Sequence, residues 1–298
     1  MAITRREFFG YSSKGIVGAA LAGGLGAATT GDAHAMSKVK AKVKFRVGAM
    51  DGTIGQGGNV QALAVAKEIG LEGVQIDAPR VAAELFEQIV EEFDPHSQRQ
   101  YKNMMEKSGV AVASICMGLL NSYPLVSDPR APAWVSHTIE AAANLGAKVI
   151  LVAFFGRGTL RTQEQKDKAA EILKRLAPKA EKAGVILGIE NTLSAEDNAR
   201  ILDKIKSPAV QVYYDVANST FGGYDVPREI RWLGARICEF HFKDRTLLGQ
   251  GKVNYSAIRD AVQDIGYNGW IILEGANPLG GKISGAYNAG FVRGLLLG

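Results

Sequence analysis

Cysteine is nearly absent. Among 298 residues only Cys116 and Cys238 are cysteines, too few for a disulfide framework and without the spacing of a CxxC metal site. Both lie in apolar runs, where buried, unreactive thiols are expected. A dominant charge sign is also lacking: 35 basic against 30 acidic residues leave +5. The basic residues are scattered beside acidic ones, so a nucleic-acid partner is not expected. Long apolar runs are missing too. The best, Gly15 to about Ala28, is short and rich in glycine, a poor membrane span. What is present is the balance of a soluble globular chain, 47% hydrophobic and 22% charged, which excludes disorder and collagen-like repetition.

The apolar run belongs to a leader. Thr4-Arg5-Arg6-Glu7-Phe8-Phe9 places two arginines in a polar start, and Ala33-His34-Ala35 offers small residues where a signal peptidase reads them. The segment resembles a Tat export signal. That resemblance implies removal of residues 1–35, a mature domain of residues 36–298, and export to the periplasm as a folded protein, with any cofactor acquired beforehand. No stable membrane association is expected after cleavage.

The rest of the chain repeats one unit. Short, nearly continuous apolar runs fall at Phe45–Met50, Gly73–Asp77, Val110–Met117, Lys148–Phe155, Val185–Glu190, Val210–Val216, Ile237–Phe242 and Trp270–Glu274, the pattern of parallel strands buried on both faces. Helical periodicity separates them at Val60–Ile69, Ala131–Leu145, Gln163–Ala183, Ala195–Ile205 and Tyr255–Ile265, with further helical material at Ala82–Phe93 and Gln98–Lys107. Several of these helices stop at glycine, the residue favoured just past a helix end. Eight βα units in about 250 residues predict an α/β fold, a single-domain (β/α)8 TIM barrel. A doubly wound open sheet would break this rhythm.

Four of the last strands carry a polar residue at or near the end: Glu190, Asp215, His241 and Glu274, spaced by 25, 26 and 33 residues. Each interval is about one βα unit, so all four are expected at the C-terminal rim, where barrel active sites lie. Three carboxylates gathered there repel, and either protons or a cation must offset that. Three oxygen ligands and one imidazole suit one hard divalent ion, with Mn²⁺ or Mg²⁺ ahead of Co²⁺ or Zn²⁺. Unrelated rim residues are the bland alternative, and four in register argue against it.

The motifs Ile189-Glu190-Asn191, Tyr214-Asp215-Val216-Ala217-Asn218, His241-Phe242-Lys243-Asp244, Gly249-Gln250-Gly251-Lys252-Val253-Asn254-Tyr255 and Gly266-Tyr267-Asn268-Gly269-Trp270…Leu273-Glu274 resemble those of the xylose isomerase-like TIM barrels, the sugar phosphate isomerases and epimerases. That group includes ketose 3-epimerases, hydroxypyruvate isomerase and inosose dehydratase. The resemblance implies that Glu190, Asp215, His241 and Glu274 hold one divalent metal. It also implies that Glu190 and Glu274 act as the acid/base pair. The implied reaction is isomerisation or epimerisation of a keto-sugar by proton abstraction beside the carbonyl, through an enediolate held by the metal. Substrate contacts are expected from Glu196, Asn218, Lys243 and Arg245. Glu196 reads equally as a helix N-terminal acid, and Lys243 equally as the partner of Asp244. The ketose 3-epimerases carry histidine where this chain has Asn218, and arginine where it has Leu247.

Other readings stand beside this one. A lyase or dehydratase acting on a keto-sugar, keto-glycoside or keto-inositol uses the same parts. A non-catalytic carbohydrate-binding barrel does not need the paired glutamates. A multi-zinc endonuclease acting on abasic DNA needs more histidines than the four present. The expected partner is a small sugar, unphosphorylated given the leader, and the chain is compatible with a homo-oligomer. Phe154 and Phe155 are candidates for a sugar-stacking wall. Gly55-Gln56-Gly57-Gly58 reads as a flexible rim loop.

Overall fold

In the computed structural model, which describes residues 44–77 and 95–297, eight parallel strands pair in chain order and close on themselves. They are β1 (Arg46–Met50), β2 (Gly73–Asp77), β3 (Ala111–Met117), β4 (Val149–Ala153), β5 (Ile186–Glu190), β6 (Val210–Asp215), β7 (Ile237–Phe242) and β8 (Trp270–Leu273). The helices among the described residues are α1 (Ala62–Glu68), α2 (Pro95–Ser108), α3 (Ala131–Leu145), α4 (Gln163–Ala183), α5 (Ala195–Ile205), α6 (Val216–Phe221), α7 (Val226–Leu233), α8 (Tyr255–Asp264) and α9 (Gly281–Leu297). The leader, residues 1–35, and the expected helix Ala82–Phe93 lie outside the described residues. Among the described residues no helix is long and apolar enough to cross a membrane.

Local chemistry sets the element ends. Thr162 starts α4 with a reciprocal capping box to Gln165, and Ser194 Oγ accepts the Asp197 N–H at the start of α5. Gly146 and Gly184 end α3 and α4 in the left-handed region, at φ 75° and 64°, which a side chain would strain. In β6 the apolar run gives way earlier than expected. Val216 opens α6, because Asp215 Oδ1 accepts the backbone N–H groups of Ala217 and Asn218.

The largest apolar core lies between barrel and helices, where strand residues such as Val112, Ile150, Leu187 and Phe240 meet helix residues such as Ile139, Leu173 and Ile258. Inside the barrel, Trp270 faces Gly73, whose missing Cβ would stand 2.5 Å from the indole. Arg46 lies over the same ring at 4.0 Å.

Two β-bulges adjust the interior. Between β2 and β3 the register passes from Val74↔Val112 to Gln75↔Ser114, leaving Ala113 over. Between β6 and β7 it passes from Val212↔Ile237 to Tyr213↔Glu239, leaving Cys238 over, and then pairs Asp215 with His241. Such bulges re-aim side chains near functional sites.

Helix α9 carries a weak sequence signal, interrupted by glycines at 281, 285, 290 and 294, poor helix formers. Close packing accounts for two of them. A Cβ on Gly281 would come 2.5 Å from the Ile54 carbonyl carbon, and one on Gly285 3.0 Å from Ile54 and Ile69. The loop 55–58 turns around a buried carboxylate: Asp51 accepts the backbone N–H groups of Gly52, Gly58 and Asp77.

Candidate metal and active site

Glu190 ends β5, Asp215 ends β6, His241 lies one residue inside the end of β7, and Glu274 follows β8. Consecutive strands in the closed order bring the four to one side of the mouth. One donor atom from each falls within 4.8 Å of all the others. His241 Nδ1 lies 3.0 Å from Glu190 Oε1, 3.2 Å from Glu274 Oε2 and 3.9 Å from Asp215 Oδ2. Glu190, Asp215 and His241 are buried.

Lys243, two residues beyond His241 and on the same side, places Nζ 2.8 Å from both Asp215 Oδ2 and Glu274 Oε2. Its partner is therefore not Asp244, the alternative drawn from the sequence. Asp244 points the other way and accepts the N–H groups of Arg245 and Val253. It closes the 245–253 loop, where Gly251 passes so near its carboxylate that no Cβ would fit.

Charge balance is tight. Burial drives Asp215 up to about 7, against the lowering pull of Lys243. Burial alone would depress His241, but Glu190 and Glu274 carry it up to about 10. Glu274 is held well below the usual carboxylate range because His241 and Lys243 outweigh its burial. Burial would likewise lower Lys243, and Asp215 and Glu274 instead hold it well above the ordinary lysine value. The cluster thus draws positive charge to itself. Asp215 Oδ2 is buried, and its nearest partner is the Lys243 ammonium at 2.8 Å. Three carboxylates and an imidazole nitrogen within 4.8 Å of one another fit a single hard divalent cation.

Beside the cluster a cleft of about 450 Å³ is lined by Thr192, Asn218, Phe221, Lys243 and Arg245, among others. Arg245 lies over the Phe221 ring at 4.2 Å. Three of the four expected substrate contacts, Asn218, Lys243 and Arg245, therefore share one wall. Glu196 does not join them. It is exposed in the first turn of α5 and lines a separate depression with Tyr224, Arg228 and Trp232. Glu229 Oε1 accepts the Ala195 N–H and helps to fix that helix entry. Leu247 is buried and cannot stand in for a substrate-binding arginine. Phe154, offered as a stacking wall, is buried in the core between barrel and helices, while Phe155 packs inside the barrel.

Gln75, Ser114, Tyr213 and Glu239, which no motif or spacing singles out, are all buried inside the barrel beneath His241. The available signal was a lone polar residue in an apolar strand, as in Gly-Val-Gln-Ile-Asp of β2 and Ile-Cys-Glu-Phe-His-Phe of β7.

Comparison with known proteins agrees with this architecture. The family model described as xylose isomerase-like TIM barrel matches residues 63–288. A 2-epi-5-epi-valiolone 7-phosphate 2-epimerase of Actinoplanes is 25% identical over 188 residues, covering 61% of this chain and 67% of that protein. An inosose dehydratase of Lacticaseibacillus casei is 23% identical over 274 residues, covering 71% and 89%. The crystal structure of D-psicose 3-epimerase with D-tagatose from Clostridium cellulolyticum superposes with a TM-score of 0.71 at 17% identity, covering 84% of this chain and 99% of that one. With its eight-stranded closed barrel and a family match across most of its length, the chain belongs to the xylose isomerase-like TIM barrel family.

Proposed function

We propose that this protein is a divalent-metal-dependent isomerase or epimerase of a keto-sugar, with Glu190 and Glu274 as its acid/base pair. The carrying observation is the convergence of Glu190, Asp215, His241 and Glu274 within 4.8 Å at the barrel mouth. A divalent ion bound there would supply Lewis acidity toward carbonyl and hydroxyl oxygens, making the neighbouring C–H acidic. Glu190 and Glu274 come from strands five and eight, so one carboxylate can take the proton beside the carbonyl while the other delivers one to the opposite face. Lys243 holds Glu274 Oε2 in place. Asn218 and Arg245 in the adjoining cleft offer hydrogen bonds to hydroxyls.

Incubation of the Mn²⁺-loaded protein in D₂O with a panel of unphosphorylated keto-sugars tests this reading. Deuterium is expected beside the carbonyl, read by NMR, together with an epimer or isomer. No exchange with any member would overturn the reading. The match to an inosose dehydratase over most of its length supports a second reading, elimination of water from a keto-sugar or keto-inositol, and a dehydrated product in the same spectra identifies it.

The twin-arginine leader supports periplasmic export. Arg5→Lys with Arg6→Lys is expected to leave the protein folded in the cytoplasm, as read by fractionation and immunoblotting. Normal periplasmic levels of the double variant would refute the Tat reading, and an exported form that keeps residues 1–35 would make the leader an anchor.

A further inference from the structure

A line of buried polar side chains runs from His241 into the barrel. His241 Nε2 stands 2.9 Å from Gln75 Oε1. The Gln75 amide nitrogen donates to Ser114 Oγ and to Tyr213 OH, each at 2.9 Å. Both hydroxyls donate to a single oxygen, Glu239 Oε1, at 2.7 and 3.1 Å. Gln75, Ser114 and Glu239 are 0% exposed and Tyr213 1%, so the partners named here decide the direction of each bond. The two β-bulges put Gln75 beside Ser114 and Tyr213 beside Glu239.

That direction is forced from the far end. A carboxylate oxygen only accepts, so each hydroxyl spends its one hydrogen on Glu239. Their lone pairs then need donors, and the two hydrogens of the Gln75 amide supply them. The Gln75 carbonyl oxygen is thereby turned toward His241, and it can only accept. Nε2 must carry a hydrogen, and a neutral ring keeps its lone pair on Nδ1, the nitrogen facing Glu190 and Glu274. Burial pushes Glu239 up to about 8, but its Oε2 has no partner. A proton taken up there leaves Oε1 with both donors, so the direction holds in either charge state.

We propose that Glu239 is a positioning residue: acting through Ser114, Tyr213 and Gln75, it fixes His241 with its hydrogen on Nε2 and its lone pair on Nδ1, the form that can ligate an ion at the cluster. The inference rests on the metal reading above. Partners of this kind orient metal-binding histidines and typically carry 10–100-fold in affinity. Glu239→Gln would introduce an amide that can itself donate to the two hydroxyls. They can then donate to Gln75, whose amide turns and presents N–H groups to His241 Nε2. Exchanging the two side chains, Gln75→Glu with Glu239→Gln, restores an acceptor opposite Nε2 with the same atoms in the barrel.

The experiment uses Zn²⁺ as a diamagnetic probe, with calorimetry for affinity and ¹⁵N NMR of histidine-labelled protein for the tautomer. The wild type is expected to bind with Nδ1 ligated and Nε2 protonated. Glu239→Gln is expected to lose about 10–100-fold in Zn²⁺ affinity, and the exchanged double variant to recover most of it. A purely volume-filling role predicts no such recovery. Equal affinity in wild type and Glu239→Gln, or no recovery in the double variant, would overturn the proposal. Should Glu239→Gln fail to fold, the wild-type spectrum decides alone, and zinc on Nε2 refutes the inference. No Zn²⁺ binding by the wild type would instead refute the metal reading beneath it.

Discussion

Replacing Asp215 by Asn is expected to leave the barrel folded while lowering divalent-metal affinity by more than about a hundredfold, since even partners one step removed from a metal carry 10–100-fold. The two oxygens of Asp215 have separate tasks. Oδ1 accepts the N–H groups of Ala217 and Asn218, both at 2.7 Å, and so caps α6. Oδ2 faces the cluster, 2.8 Å from Lys243 Nζ. Asparagine can keep the first oxygen and puts an NH₂ group in place of the second, a donor where an ion needs a lone pair. Alanine would lose both, adding about 1 kcal/mol for the missing cap, so the Asn variant isolates the metal term. Wild-type protein is expected to melt higher with added Mn²⁺, because a ligand that binds only the folded state stabilises it. The Asn variant is expected to show little such gain. Unchanged metal content by elemental analysis would remove Asp215 from the ligand set.

The rim was legible in the sequence for a physical reason. Parallel strands covered on both faces must be apolar, so a carboxylate or imidazole closing such a run marks the point where the chain meets the mouth. Glu190, Asp215, His241 and Glu274 recur at one βα interval, and strand order brings them together. Lys243 and Asp244 were not separable this way. They are adjacent in sequence and point to opposite sides, one into the cluster and one into its loop. Glu196 was placed in the right turn of the right helix, but its side chain opens onto a different depression. Gln75 and Glu239 were hidden because their partners lie on other strands, Gln75 being 166 positions from His241. The single-residue shifts that align them are bulges, which periodicity does not reveal. Helix α9 was hidden by its glycines, which local propensity counts as breakers, although tertiary packing needs two of them, Gly281 and Gly285.

Glu190→Gln and Glu274→Gln are each expected to cost about a hundredfold or more in turnover, the usual scale of a positioned acid or base, with a smaller change in KM. Glutamine keeps the shape and one ligand oxygen in both positions but cannot take up a proton. At 274 the amide oxygen can still accept from Lys243 Nζ, which now holds Oε2 at 2.8 Å. At 190 it keeps an oxygen beside His241 Nδ1, now 3.0 Å from Oε1. The two variants are not expected to fail alike. The carboxylates stand at the ends of strands five and eight, and in the proposed reaction losing one leaves a base on a single face. In an epimerase the variant that keeps the base facing the substrate proton still exchanges it with D₂O but returns deuterium to the face it left, without inversion. In a dehydratase the variant that keeps that base but lacks the carboxyl protonating the departing hydroxyl still exchanges while loss of water stops. Measuring exchange and product formation side by side on both variants therefore assigns the roles and separates the two reactions. Near-normal turnover in both variants with metal still bound would move the chemistry to other residues and leave the four-residue cluster as a metal site alone.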